Sequence, residues 1–150
     1  MKILKMAVAG VLFLAGSALL AQNRPSQIEA NKKLVVDFYR FVWEPADDVA
    51  LMKMLPENYV EHNPRFRNGR TDLANALRNR RRGQPPAKVS EKLNEPPELV
   101  MAESDLVTWI FKQMRKDPKN PNKQYESFWF DTFRIRDGKI VEHWDGALLN

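Results

Sequence analysis

Apolar residues recur at two different spacings along this chain, and the change between them divides it. In the first half the spacing is helical. Ile28, Val35, Phe38, Tyr39 and Val42 lie on one face, widened by Leu34 and Phe41. Ser26-Gln27-Ile28-Glu29 reads as the capping box that opens this helix. It should end near Trp43, because Pro45 disfavours helical geometry at Glu44. Asp47 or Asp48 is placed to cap a short second helix carrying Val49, Leu51, Met52 and Leu55, stopped by Pro56. A third helix is expected from Thr71 or Asp72 through Leu73, Ala74 and Leu77. It runs into Arg78, Arg80, Arg81 and Arg82, whose charge suits a helix C-terminus, before Gly83 and Pro85-Pro86.

Beyond Pro86 the runs become strand-like, at Lys88–Leu93, Leu99–Glu103, Leu106–Met114, Tyr125–Arg136 and Ile140–Asp145. Ser104-Asp105 and Asp137-Gly138 are turn signals, the second a strong hairpin signal. Lys116 to Lys123, with its prolines, asparagines and lysines, reads as an exposed loop. Helices first and an antiparallel sheet afterwards predict an α+β fold, with the helices on one sheet face.

The N-terminus is of another kind. Lys2 and Lys5 precede Met6 to Ala21, a sixteen-residue run without charge, short against the ~20 residues that span a bilayer. Small residues at Gly16, Ser17, Ala18 and Ala21, then polar Gln22, complete the layout of a secretory signal peptide. Cleavage is expected after Ala21, with Ala18 the alternative site and an uncleaved anchor the competing reading. Residues 22–150 then form one secreted domain, expected in the periplasm, with no stable membrane span. Setting Lys2 and Lys5 aside leaves 22 basic against 19 acidic residues, a balance of +3, too mild to argue for nucleic acid. The arginines around Arg80 are then a solvated helix end. The chain has no cysteine, so disulfides, thiolate metal sites and a cysteine nucleophile are excluded. Two distant histidines and scattered carboxylates offer no metal-ligand spacing, so no metal and no cofactor are expected.

Possible chemistry concentrates in two segments. One is Tyr59-Val60-Glu61-His62-Asn63-Pro64, followed by Gly69-Arg70. The other is the hairpin from Phe130 to Asp145. Alternation puts Asp131 on one face with Trp129, Phe133 and Ile135, and Asp145 on one face with His143 and Val141. A carboxylate on an aromatic face is costly to bury as an anion unless paired. Such a site suits a general acid or base working near neutral pH. Register decides whether the groups meet. A two-residue turn at Asp137-Gly138 pairs Asp131 with Trp144 and sends Asp131 and Asp145 to opposite faces. A three-residue loop with a bulge at Gly138 pairs Asp131 with His143, so that Asp131, His143 and Asp145 share a face. A plain structural role, with Asp145 ending the strand and His143 satisfied or at the surface, stands beside both.

These two segments resemble SnoaL-like polyketide cyclases, of the superfamily named after nuclear transport factor 2. The resemblance rests on Tyr59 to Pro64 with Gly69, and on Phe130-Asp131-Thr132-Phe133-Arg134 through Asp137-Gly138-Lys139-Ile140-Val141-Glu142-His143-Trp144-Asp145; with the order of elements it covers roughly residues 28 to 148. It implies a conical curved antiparallel sheet wrapped by about three helices around an apolar pocket, and frequent homodimers. It also implies aldol-type ring closure on an apolar carbonyl compound without metal or cofactor. Asp145 matches the acid/base aspartate near the end of the last strand, and Asp131 occupies the neighbouring-strand position that is a histidine in the cyclases. The expected catalytic set is Asp145, Asp131 and His62. Asn63, His143, Tyr39, Trp109, Trp129 and Phe133 are the expected substrate-binding residues. One cavity should hold Asp131, Asp145 and His62, walled by Trp109, Trp129, Phe133 and Tyr39. The alternative is a non-catalytic periplasmic module that binds an apolar small molecule. A third reading, water activation by two aspartates and an arginine, ranks lower because Arg134 alternates away from Asp131.

Overall fold

The computed structural model describes residues 26–149, and the signal-peptide reading of 1–21 lies outside the described residues. Helix α1 spans residues 26–43, α-helical to 38 and π-helical over Tyr39–Trp43. Helix α2 is Asp48–Met54, with the Asp47 carboxylate accepting from the Val49 and Ala50 amides at 2.9 Å each. Helix α3 is Arg70–Arg80. None of the described helices is long and apolar enough to cross a membrane.

Five strands, β1 (Val60–Glu61), β2 (Leu99–Glu103), β3 (Leu106–Lys116), β4 (Gln124–Arg136) and β5 (Lys139–Trp144), form one sheet in the order β1-β5-β4-β3-β2. The sheet is curved and unclosed, with α+β architecture as expected. It is mixed, because β1 runs parallel to β5. The helices cover one face. Val35, Phe38, Tyr39 and Val42 of α1, Leu51 of α2 and Leu73, Ala74 and Leu77 of α3 are buried against Val107, Trp109, Phe133, Ile135 and Ile140 of the sheet.

Three expectations need correction. Lys88–Leu93 is not a strand. Prolines close it on both sides, and side chains of α1 satisfy backbone groups along this stretch. Arg40 Nε donates to the Ser90 carbonyl at 3.0 Å, and the Glu44 carboxylate accepts from the Asn94 and Glu95 amides. The arginines ending α3 are not simply solvated. Arg78 and Arg81 both bind the buried Asp48 carboxylate, which they hold below its ordinary range, chiefly through the Arg78 hydrogen bond. Arg80 donates to the Trp43 carbonyl. The Asp48 contacts clasp α2 to α3, and the Arg80 contact ties α3 to the end of α1.

The third correction is the hairpin. The turn is the tight two-residue one: Arg136 pairs with Lys139 and Ile135 with Ile140. Asp137 and Gly138 both take positive φ, 50° and 68°, as a type I′ turn requires. The bulge is not at Gly138. It lies one step further on, where Arg134 pairs with Glu142 and leaves Val141 as the extra residue. Phe133 then faces His143 and Thr132 faces Trp144.

Candidate functional site

The Val141 bulge sets which side chains meet. It restores the alternation that the tight turn alone would invert, so Asp131 and Phe133 of β4 share the helix-covered face with His143 and Asp145. These four line a cavity of about 270 Å³ with Phe38, Tyr39, Trp43, Tyr59, Glu61, Asn63, Arg65, Phe66, Leu73 and Trp129. Its walls are mainly aromatic, and its polar groups gather at the β4–β5 side.

Each polar group is held by named partners. Asp131 accepts hydrogen bonds from the Tyr39 hydroxyl and, at 2.7 Å, from Trp129 Nε1. Asp145 accepts from Asn63 Nδ2 at 2.6 Å and from the Ala147 amide at 2.9 Å. His143 stacks on Phe133 with ring centroids 4.8 Å apart. Its Nδ1 lies 2.8 Å from Glu61 Oε1 and its Nε2 3.5 Å from Asp131 Oδ1. Burial alone would lower the His143 pKa, but its bonds to Asp131 and Glu61 outweigh that and raise it to about 9. The imidazole is therefore an imidazolium at neutral pH, with a proton on both nitrogens. Glu61 is the counterpart. Burial pushes its carboxyl up, but His143, the Asn63 amide and the Tyr59 hydroxyl hold it below its ordinary value. Burial, followed by the charge of Asp131, raises the Tyr39 hydroxyl well above its usual range, so it stays a donor.

The structure thus gathers Asp131, Asp145, His143, Asn63, Tyr39, Trp129 and Phe133 around one cavity. It does not bring His62 there. β1 alternates like any strand, so Glu61 and Asn63 point inward and His62 outward. On the outer face His62 stacks on Trp144 at 5.1 Å and its Nε2 lies 2.8 Å from Glu142 Oε1. Trp109 is also displaced from its expected place. It is fully buried behind the wall, stacked on Tyr39 at 4.4 Å, and its Nε1 has no hydrogen-bond partner. Glu61 is the functional candidate that sequence reasoning passed over. The signal was present in Tyr59, Glu61 and Asn63 at a spacing of two, all three buried.

The fold also makes a metal-type grouping that sequence spacing did not suggest. One ligand-type atom each from Asp131, His143 and Asp145 lie within 4.8 Å of one another. Within the protein His143 pairs with Asp131, which also accepts from Tyr39 and Trp129, and Asp145 accepts from Asn63.

No protein-family model matches the sequence, and no curated protein matches it. Solved structures do match in fold. An LEH-like epoxide hydrolase of M. tuberculosis superposes with a TM-score of 0.53 at 17% identity, covering 79% of this chain and 83% of that one. A polyketide-cyclase candidate of Xanthomonas campestris gives 0.52 at 18%, covering 79% and 90%. IdmH of Streptomyces antibioticus, another cyclase candidate, gives 0.51 at 16%, covering 77% and 89%. The chain shares the fold of these proteins.

Proposed function

We propose that this chain is a cofactor-independent acid/base enzyme that enolises an apolar carbonyl compound, leading to aldol-type cyclisation or isomerisation. One observation carries the reading: Asp131, His143 and Asp145 converge within 4.8 Å at the polar side of an aromatic cavity. Asp145 removes a proton from the carbon next to the carbonyl, and the electron pair moves onto the carbonyl oxygen. The His143 imidazolium donates a hydrogen bond from Nε2 to that enolate. This positive charge meets the negative charge that develops on the oxygen in the transition state and is absent from the ground state. The enolate carbon then attacks a second carbonyl of the same molecule, whose oxygen takes up the proton held by Asp145 as the C–O π bond opens, or the enolate takes that proton back at a different carbon. Asp131 aligns His143 and is itself held by Tyr39 and Trp129. Asn63 positions Asp145.

A pure binding module has less support. Among the described residues neither Asp131 nor Asp145 is paired with an arginine or lysine, as a structural role for these acids would favour. Water activation by two aspartates and an arginine has less support: Arg134 is on the outer face, paired with Glu142 and Asp105, and Arg65, which does line the cavity, donates its Nε to the Leu148 carbonyl rather than to either aspartate. The proposal extends to setting. The N-terminal segment supports export to the periplasm. The apolar outer face of the sheet supports a homodimer.

The test needs no knowledge of the natural substrate. Enolisation is read by NMR as loss of α-deuterium from aryl ketones and β-diketones. Catalysed exchange is expected from the wild type. Asp145→Asn should lower it by a factor on the order of 10²–10⁴, as loss of a general base does, with an unchanged melting profile. Exchange no faster than buffer, or equal exchange by Asp145→Asn, rejects the assignment.

A further inference from the structure

The catalytic cavity does not end at Asp131. A second, more open cavity of about 790 Å³ lies beside it, and both are lined by Trp43, Trp129 and Asp131. The inner space alone falls below the ~300–1,000 Å³ of ordinary small-molecule sites, whereas the two together have room for a ligand at the upper end of that range. The outer cavity runs along β3 past Phe111, Gln113 and Met114 to Arg115. The charges along this trough are unequal. At the inner end the carboxylates of Asp131, Asp145 and Glu61 outnumber the two cations there, the His143 imidazolium and Arg65. At the outer end Arg115 has no acidic partner among the described residues; its Nη2 donates to Gln113 Oε1 at 2.9 Å and its guanidinium lies 5.9 Å from the Trp129 ring centre. Two other charged groups line that wall: Lys112, paired with Glu126 at 2.6 Å, and Glu95. Trp129 separates the two ends, with Arg115 over its ring and its indole N–H on Asp131.

We infer that the substrate is an elongated amphiphilic anion, whose apolar carbonyl end enters the inner cavity while a terminal carboxylate rests on Arg115 in the outer one. The inner aspartates repel the charged end and Arg115 attracts it, so the trough sets which end reaches Asp145. Arg115 is a specificity-determining residue in this arrangement. The inference rests on the acid/base reading for what happens to the carbonyl, but not for binding.

Binding is measured by quenching of tryptophan fluorescence with δ-benzoylvaleric acid, its methyl ester and the short benzoylformic acid. The wild type should bind the long acid at least about threefold more tightly than its ester, the scale of a solvent-exposed charge pair. Added salt should narrow that difference. Arg115→Ala should abolish it, and Arg115→Lys, which keeps the charge, should retain part of it. The short acid, whose carboxylate would fall beside Asp131 and Asp145, should bind more weakly than the long one. Equal binding of acid and ester, a difference that survives Arg115→Ala, tighter binding of the short acid, or no binding of either long ligand overturns the inference. The ketone exchange assay separates the two readings. Exchange without the acid–ester difference rejects the inference alone, and the difference without exchange rejects the acid/base reading alone.

Discussion

At the scale of single residues, the pair Glu61–His143 governs the ionic state of the site. The folded-state pKa of His143 is raised to about 9 from an unfolded value of about 6.5. Its stabilising contribution is therefore complete below about pH 6.5 and is lost as pH rises through the folded value. Unfolding free energy should fall across that window by an amount on the order of 3 kcal/mol, measured by urea denaturation at a series of pH values. Glu61→Gln removes the buried countercharge. In that variant the His143 ring protons should titrate at lower pH by NMR, and the alkaline loss of stability should flatten. A titration unchanged from the wild type would show that Asp131 alone holds the imidazolium. His62, the other histidine, teaches the complementary lesson. Its motif looked chemical, but one residue along a strand decides between the cavity and the outer face.

At the scale of elements, α2 and α3 are tied by a charge cluster rather than by packing alone. The Asp48 side chain is 7% exposed and meets Arg81, 12% exposed, and Arg78, 58% exposed. Removing one partner of a buried pair leaves the other charge uncompensated. Asp48→Ala should cost about 2 kcal/mol, at the low end because Arg78 keeps its water. Arg78→Ala should cost well under half of that, and chemical denaturation of both variants checks the order. The hairpin element was half legible. Asp-Gly specifies a two-residue turn through its tolerance of positive φ, and that turn formed. The bulge at Val141 carries no comparable residue preference. It arises where β5 must satisfy both the β4 ladder and the parallel contact with β1, in which Glu142 pairs with Val60 and His143 with Glu61.

At the scale of the whole molecule, the sheet has a second apolar face that nothing among the described residues covers. Leu99, Met101, Phe128 and Phe130 are each about half exposed there, around Ile110, which is buried yet lies outside the main core cluster. Contiguous exposed apolar surface of this kind marks an interaction site, and the proposed occupant is a second copy of the chain. Phe130→Glu should convert a dimer to a monomer in native mass spectrometry while leaving the α-deuterium exchange assay within about twofold, since Phe130 faces away from the cavity. A wild type that is monomeric at micromolar concentration rejects the dimer.

The sequence by itself determined what depends on local periodicity and backbone chemistry. Helical spacing through Val42 placed α1, Asp47 capped α2, and period-two runs placed β2 to β5 to within two residues at each end. Alternation put Asp131 with Phe133, and the family resemblance singled out Asp145. Only the tertiary structure decided matters that depend on contacts between distant segments. Val60 and Glu61 are too few to read as a strand until β5 lies beside them, and with that pairing Glu61 reaches His143 across 82 positions. Lys88–Leu93 looked like a strand because periodicity cannot say whether a partner edge exists. The site itself turned on one unpaired residue, Val141, because a single step along a strand moves every later side chain through the sheet.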